Sequence, residues 1–225
     1  MPFRDRIEAG RRLAQALLLH KSDEPVVLAL PRGGVPVAAE VARALEAPLD
    51  LILVRKIGVP QQPELAMGAV VDGADPLVVR NEDVIAMAHV PDSEFNAVCK
   101  QELAEIKRRR TRYVGSRAHP KLQDRTVIVV DDGIATGATT RAALRSARKQ
   151  KPRRLILAVP VAPTSSLEDL RPEADEIVCL ENYESFGAVG FYYSDFRQVS
   201  DEEVRSLLTA ADAQPPKAAG ALQNG

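Results

Sequence analysis

Residues 127–140 read VIVVDDGIATGATT, in which four β-branched residues lead into two aspartates and a turn rich in glycine and threonine. Such an apolar run is typical of a strand that is buried in a parallel sheet. The helix-forming stretch AALRSARKQ follows the turn. Open α/β sheets bind their ligands at the carboxyl ends of their strands, so Asp131 and Asp132 are expected at a ligand site.

The turn that follows the two aspartates has the composition of an anion site. It would present backbone N–H groups and hydroxyls at a helix N-terminus, where an anion is stabilised. The residues concerned are Ala135, Thr136, Gly137, Ala138, Thr139 and Thr140. Gly133 and Gly137 permit a close approach of the backbone to a ligand. Two acids beside a phosphate site suit a ligand with sugar hydroxyls near a phosphate, and a generic strand–turn–helix with an aspartate cap is the alternative.

This segment resembles, over its whole length, the phosphoribosyl diphosphate (PRPP) signature of type I phosphoribosyltransferases. The resemblance implies that Asp131 and Asp132 accept hydrogen bonds from the ribose 2- and 3-hydroxyls, and that the turn wraps the 5-phosphate. The two negative charges would also favour the positive charge that grows on C1 as pyrophosphate leaves. Position 135 is alanine where the 6-oxopurine members of the family carry an aspartate that acts as a base. The chain therefore looks unlike a hypoxanthine-guanine enzyme.

A second glycine-containing loop, PRGGVP at residues 31–36, follows the predicted strand 26–30 and precedes the next predicted helix. Gly33 and Gly34 would expose backbone amides to an anion, and Arg32 would add a fixed cation. In the family that the signature resembles, this loop holds the pyrophosphate of PRPP. An ordinary turn between strand and helix is the alternative, since paired glycines are common in turns.

The second predicted strand is 49–54, and the segment that follows it resembles a catalytic flap. The sequence RKIG is followed there by the polar, proline-spaced residues 59–64. Phosphoribosyltransferases use a mobile flap in this region to cover the reacting centre and exclude water. The resemblance implies that Lys56, with Arg55 as a second candidate, neutralises the leaving pyrophosphate. Glu64 would move a proton or orient a water on magnesium, and a solvated strand end is the alternative for the lysine.

The chemistry implied by the resemblance also brings in Mg²⁺. A diphosphate leaves the anomeric carbon poorly unless its charge is neutralised, and Mg²⁺ is the usual agent. The ion is expected to bind mainly through diphosphate and ribose oxygens, so no residue is assigned as a direct ligand.

Strands alternate with helices along the chain, which predicts an α/β fold with an open, mainly parallel twisted sheet flanked by helices. A small hood and flap region is expected above the sheet. One phosphoribosyltransferase-like domain is predicted over residues 1–212, and residues 213–225 are predicted to form a disordered tail. The other predicted elements are helices at 4–20, 34–45, 91–112, 139–149, 165–170 and 201–211, strands at 126–130, 155–159 and 176–180, and a hairpin of 68–71 with 77–79.

Composition and missing motifs argue against several other functions. The 225 residues carry a net charge of −1, so no overall field attracts nucleic acid or a membrane surface. No apolar run reaches the ~18–20 residues of a membrane span, and residues 1–20 lack the pattern of a signal peptide. Cys99 and Cys179 are interpreted as reduced thiols, and a cytoplasmic location is expected. The sequence has neither a Gly-Lys-Ser/Thr P-loop nor a G-x-S-x-G elbow.

Two further patterns leave alternatives open. Six of the nine aromatic residues lie within 183–196, where family members build a hood over the acceptor. One interpretation is that at least one of these rings stacks on a planar acceptor. The alternative is that the rings pack the hood against the core. Basic runs at 107–112 and 145–154 would suit nucleic acid, but Glu102 and Glu105 on the same predicted helix explain the first run by ion pairing.

The loops PRGGVP and RKIG and the acid motif, in this order, closely resemble a group of uncharacterised predicted phosphoribosyltransferases over residues 3–208. The resemblance implies a Mg²⁺-dependent enzyme that transfers ribose 5-phosphate from PRPP to an unidentified nitrogen acceptor and releases pyrophosphate. PRPP and a small-molecule acceptor are the expected partners, nucleic acid is not expected, and a homodimer is compatible with the sequence. The alternatives are a PRPP- or nucleotide-sensing regulator on the same fold, coupled to RNA or a protein, and a domain of a larger enzyme assembly.

Overall fold

A central sheet and a smaller sheet organise the chain, whose computed structural model describes residues 2–73 and 75–213. Within these residues the strands are β1 Val26–Ala29, β2 Leu49–Leu51, β3 Val54–Val59, β4 Gln62–Val71, β5 Leu77–Arg80, β6 Thr126–Val130, β7 Arg154–Pro163 and β8 Glu176–Tyr183. The helices are α1 Arg6–Leu17, α2 Gly34–Leu45, α3 Glu82–Met87, α4 Asp92–Val114, α5 Ala138–Lys149, α6 Thr164–Leu170 and α7 Asp201–Asp212. Single 3-10 helical segments lie at Leu18–Asp23, Arg171–Glu173 and Val189–Tyr192.

The central sheet has five parallel strands in the order β2-β1-β6-β7-β8. Successive residues of β6 point to opposite faces, and both faces are covered, so its apolar run is buried throughout. Val130 lies in one core cluster with Leu13 of α1, Val41 of α2 and other residues from α4 and α7. Val129 lies in a second cluster with Leu144 of α5. The predicted open α/β fold is confirmed.

The predicted flap region forms a separate antiparallel sheet in the order β3-β4-β5. β3 and β4 pair from Val54 opposite Val71 to Val59 opposite Gln62. Residues 59–64 therefore form the tip of a hairpin. The register shifts on both sides of Gly58 give that hairpin an irregularity near its tip.

The structure corrects one strand boundary and confirms one hairpin. The predicted strand 49–54 is two strands, since β2 ends at Leu51 and β3 begins at Val54. The chain leaves the parallel sheet between these residues to enter the small sheet. The predicted hairpin of 68–71 with 77–79 is present as the antiparallel pairing of β4 with β5, which runs from Gly68 opposite Arg80.

α1 is shorter than predicted, and its buried face includes a charged residue. It begins at Arg6 and ends at Leu17 instead of spanning 4–20. Of the apolar residues in this segment, Leu13 and Leu17 are buried, whereas Ile7 and Leu18 are each 41% exposed. Arg6 lies on the buried face at helical spacing from the two buried leucines.

Other helix ends are set by details that the sequence pattern does not show. α3 is not among the predicted elements, and its first turn is capped by Asn81 through a bond from Val84 N at 3.3 Å. α4 begins at Asp92 with Pro91 at the cap position, and no side chain caps its first turn. The predicted tail 213–225 lies, after Ala213, outside the described residues. No helix within residues 2–73 and 75–213 has the length and apolar character needed to cross a membrane.

A buried ionic cluster joins the small sheet to the central sheet and α4. Asp50 of β2 and Asp72 at the end of β4 are 2% and 5% exposed. Arg110 of α4 contacts both carboxylates, at 2.8 Å for Asp50 and 3.3 Å for Asp72. Asp72 also accepts a hydrogen bond of 2.5 Å from Leu53 N, at the base of the β3–β4 hairpin. Burial raises the pKa of Asp72 to about 7, because the loss of solvent outweighs the bonds from Leu53 and Arg110.

Candidate active site

Two loops meet at the carboxyl edge of the central sheet, because β1 and β6 are parallel neighbours there. Leu30 N donates to Val130 O at 2.9 Å and fixes the two strand ends side by side. A Cβ on Gly33 would lie nearest to Oδ2 of Asp132 and 2.5 Å from its Cγ. A Cβ on Gly34 would lie 2.8 Å from Val130 O. The glycines of the first loop are therefore required for the close approach of the two acids.

The amides of this loop differ in what they can still bind. Gly34 N donates to Leu30 O at 3.0 Å, as part of the start of α2. The Gly34 amide is therefore paired within the loop, and its contact with an anion stays a prediction. Gly33 N has no backbone partner among the described residues, and the peptide bond between Pro31 and Arg32 is cis.

The two aspartates have different surroundings. Asp131 Oδ1 accepts a hydrogen bond of 2.9 Å from Asp132 N. Burial of its carboxylate, with a further contribution from the negative charge of Asp132, raises the pKa of Asp131 well above the usual value. Asp132 instead has a cationic partner, since its Oδ2 lies 2.7 Å from Nε of Arg6.

Arg6 is a site residue that the sequence analysis missed. It reaches the acid motif from α1, and the Arg6 and Asp132 side chains are only 10% and 13% exposed. Its Nη1 donates to Arg197 O at 2.8 Å, and its guanidinium lies 3.9 Å from the centre of the Phe196 ring. The sequence does carry a signal for this residue, because Arg6 is a charged residue on the apolar face of an amphipathic helix.

Tyr193 is the second residue with an unexpected role. It is 3% exposed, and its hydroxyl donates to the backbone oxygen of Asp132 at 2.6 Å. The ring packs against Phe3 and Phe196, with centroid distances of 5.4 Å and 5.1 Å. Burial raises the pKa of the Tyr193 hydroxyl, which remains a hydrogen-bond donor at neutral pH. Tyr193 therefore supports the acid motif and is not available to stack on an acceptor.

The other hood aromatics divide into packed and exposed rings. Tyr192 stacks between Tyr183 and Phe186, with a centroid distance of 4.7 Å to each. Phe191 is 67% exposed. Packing of the hood thus accounts for most of the rings, and Phe191 is the ring with the largest exposed surface among them.

The turn between β6 and α5 has the geometry of an anion cradle. Gly137 caps α5 with a φ of +74°, a conformation that favours glycine. The first amides of α5, including those of Ala138 and Thr139, have no acceptor within the helix and point out of its N-terminus. Ser166 of α6 donates to Ala135 O at 2.7 Å, and Ile134 N donates to Val161 O at 3.0 Å. The turn is thereby fixed on β7 and α6.

Burial within this predicted phosphate-binding turn is mixed. The exposed residues are Ala135, Thr136, Ala138 and Thr139, whereas Gly137 and Thr140 are buried. The buried glycine and threonine hold the turn to the protein, and the exposed residues leave backbone and hydroxyl groups open to a ligand.

The remaining predicted site residues do not contact the two aspartates. The guanidinium of Arg32 lies 3.6 Å from Asp201 at the start of α7. Lys56 on β3 and Glu64 on β4 are exposed, and neither side chain forms a hydrogen bond or ion pair within the described residues. Arg55 pairs with Glu102 of α4 instead of facing the site.

Most of the cations in the two basic runs have acidic partners. The pairs in the first run are Arg108 and Arg109 with Glu105, Arg110 with Asp50 and Asp72, and Arg112 with Asp201. The pairs in the second run are Arg145 with Glu173, Arg148 with Asp175, Lys149 with Asp75, and Arg154 with Glu176. This pairing supports ion pairing as the explanation of the first run, and most cations of the second run are paired in the same way.

Comparison with known proteins identifies the family to which this fold and site belong. Residues 4–196 match the family model described as a phosphoribosyl transferase domain. Two Mycobacterium tuberculosis proteins, from strains CDC 1551 and H37Rv, are 47% identical over 209 residues, which are 93% of this chain and 47% of theirs. Their names assign them provisionally as phosphoribosyl transferases, and the chain spans about half their length.

A solved structure is similar over nearly its whole length. The protein TT1426 from Thermus thermophilus is 42% identical, with a TM-score of 0.80, and the match covers 93% of this chain and 99% of that protein. The chain belongs to the phosphoribosyl transferase family, a family of transferase enzymes.

Proposed function

We propose that the chain binds PRPP and transfers its ribose 5-phosphate to a nitrogen acceptor with release of pyrophosphate. One observation carries the proposal: two carboxylates lie against a glycine loop and are followed directly by an anion cradle at the start of α5. This spacing suits a ligand with a phosphate at one end, vicinal hydroxyls in the middle and a diphosphate at the other end. Membership of the family supports the same assignment.

The ribose would bind between the two aspartates. Asp132 has one oxygen on Arg6 at 2.7 Å, which leaves Oδ1 to accept a ribose hydroxyl. Asp131 would accept the second hydroxyl. As the bond from C1 to the diphosphate lengthens, the negative charge beside the ring stabilises the positive charge that develops on the sugar.

The diphosphate would lie over the first loop, with Gly33 N as a donor. Arg32 would turn to it from Asp201, because a 3.6 Å pair with side chains 37% and 24% exposed is weak and costs little to break. Lys56 would approach when the β3–β4 hairpin closes, and Glu64 at the same hairpin would orient a water or move a proton. Closure would exclude water from a reactive C1.

Magnesium fits this site by the chemistry of its donors. Carboxylate oxygens are the ligands that Mg²⁺ takes in proteins, and the only ion pair of the two acids within the described residues uses one oxygen of Asp132. The ion would bind mainly to diphosphate and ribose oxygens beside these carboxylates, and no residue is assigned as its direct ligand. When bound, it would neutralise charge on the leaving group.

The experiment that tests the proposal measures PRPP-dependent release of pyrophosphate. The full chain is incubated with PRPP, Mg²⁺ and a panel of nucleobases and small amines, and the products are identified by mass spectrometry. Asp131→Asn and Asp132→Asn should each lower turnover about 100-fold to 1000-fold, because each removes charge opposite the developing cation. Asp169→Asn is the matched control, since that side chain is 72% exposed on α6.

A second candidate, a PRPP- or nucleotide-binding regulator, is favoured by one observation. Lys56 and Glu64 are exposed and do not contact the two acids, so the flap residues are not assembled with them. Tight binding of PRPP without its consumption in the presence of any acceptor would support the regulator and contradict the transferase. Wild-type turnover in both aspartate variants would contradict the ribose assignment.

A further inference from the structure

The acid motif is held by a buried cation from the opposite end of the chain. Arg6 and Asp132 are 126 residues apart in sequence, and their side chains meet at 2.7 Å with little exposure to solvent. The guanidinium is fixed on two further sides, by Arg197 O at 2.8 Å and by the face of the Phe196 ring at 3.9 Å. Arg6 is therefore a preorganised partner for one carboxylate oxygen, since its position does not depend on Asp132 alone.

The carboxylate of Asp132 is enclosed between this cation and the first loop. On the side of the loop, a Cβ at Gly33 would lie within 2.5 Å of the carboxylate carbon. The backbone oxygen of Asp132 accepts a hydrogen bond of 2.6 Å from the Tyr193 hydroxyl. These contacts fix the carboxylate and leave Oδ1 outside the ion pair with Arg6.

The charges at this place favour a cation beside the acid motif if a diphosphate is to bind. Asp131 and Asp132 are adjacent, and both lie against the loop over which the diphosphate would lie. Two carboxylates repel a polyanion, and the repulsion is strong where solvent is excluded. Among the described residues, the pair with Arg6 is the only ion pair that either aspartate makes.

We propose that Arg6 is the positioning residue of the site: it orients Asp132 toward the ribose and offsets the repulsion between the acid motif and a diphosphate. The inference rests on the proposed function, because it takes PRPP as the ligand of the two loops. It adds that affinity for a diphosphate-bearing sugar phosphate depends on a residue of α1 that does not face the ligand itself.

Calorimetry with PRPP and with ribose 5-phosphate tests this inference. Arg6→Gln should weaken PRPP binding about tenfold or more, because a bond between charged groups is lost. Ribose 5-phosphate lacks the diphosphate, so its affinity should fall less. Arg6→Lys keeps the charge without the fork and should bind PRPP with an intermediate affinity. Arg11→Gln is the matched control on α1, since Arg11 is 60% exposed in its pair with Glu40.

A double-mutant cycle with Asp132→Asn separates positioning from a general effect on the fold. If Arg6 acts through Asp132, Arg6→Gln should change PRPP affinity little in the Asp132→Asn background. If Arg6→Gln alone fails to fold, two other comparisons of PRPP affinity replace it. The double variant Arg6→Gln/Asp132→Asn, in which the pair is neutral, is compared with Asp132→Asn, and Arg6→Lys is compared with the wild type. Circular dichroism checks the fold of every variant.

Three results would overturn the inference. They are an unchanged PRPP affinity in folded Arg6→Gln, an equal loss for PRPP and ribose 5-phosphate, and an equal loss with and without the Asp132 carboxylate. Failure of the proposed function gives a different result, because the wild-type chain would then bind PRPP without turning it over. A wild-type chain that binds neither ligand would overturn both proposals.

Discussion

Replacing Gly33 with alanine tests the central feature of the site, which is the contact between the first loop and the acid motif. The backbone of Gly33 has φ −61° and ψ −36°, angles that alanine adopts without strain. The added methyl would lie 2.5 Å from Cγ and 2.9 Å from Oδ1 of Asp132. Contact distances between such atoms are about 3.5 Å, so the carboxylate must move by roughly an ångström.

That movement would break the 2.7 Å bond between Asp132 and Arg6. A hydrogen bond between charged groups contributes about 1.5–3 kcal/mol to stability. The loss would reach about 3–5 kcal/mol if both side chains, which are 10% and 13% exposed, were left without partners. We therefore expect Gly33→Ala to lower the free energy of unfolding by at least about 1.5 kcal/mol, and to weaken PRPP binding because Asp132 is displaced.

Urea denaturation followed by circular dichroism measures the loss, and an Asp132→Ala background supplies the control. Without the carboxylate, the new methyl meets no obstacle, so Gly33→Ala should then cost less than about 0.5 kcal/mol. An equal cost in both backgrounds would show that the carboxylate is not the obstacle. A Gly33→Ala protein with wild-type stability and wild-type PRPP affinity would refute the reasoning altogether.

Three further predictions concern the cradle, the flap and the buried cluster. Gly137→Val should abolish binding of PRPP and ribose 5-phosphate alike, because a φ of +74° is strained for a β-branched residue, and calorimetry on the folded variant checks this. PRPP with Mg²⁺ should slow hydrogen exchange over residues 59–64, and unchanged exchange would contradict flap closure. Lys56→Ala should slow turnover more than it weakens ribose 5-phosphate binding. The pKa of Asp72 rises from 3.8 to about 7 on folding, so the folded state binds a proton that the unfolded state has released. The contribution of Asp72 to the free energy of unfolding should therefore fall by about 1.4 kcal/mol per pH unit as pH rises from 5 to 7. Asp72→Asn should remove this slope in urea titrations. An identical slope in both proteins would contradict the raised pKa of Asp72.

Local sequence was sufficient for the elements that carry the signature. β6 and α2 have the predicted bounds, and α5 begins one residue earlier than predicted. These elements are encoded by apolar runs and by glycines at the turns, which act over a few residues. The same segments also contain the acids and the cradle, so the ligand class could be inferred from them.

The flap shows where local pattern was insufficient. Residues 59–64 have no alternation of apolar and polar side chains, and their strand conformation comes from pairing across the β3–β4 hairpin. The side chain of Arg55 illustrates the same limit, since its partner Glu102 lies on α4. Cross-strand and cross-element contacts of this kind are decided by the assembled fold.

The sequence by itself determined the α/β fold, the two loops and the acids at the carboxyl edge of the sheet, because each depends on neighbours within a few residues. Only the tertiary structure decided which groups support Asp132. Arg6 lies 126 residues before it and Tyr193 lies 61 residues after it. A buried ion pair and a buried hydroxyl bond form only when α1 and the hood pack over the sheet and exclude water, so no local pattern can specify them.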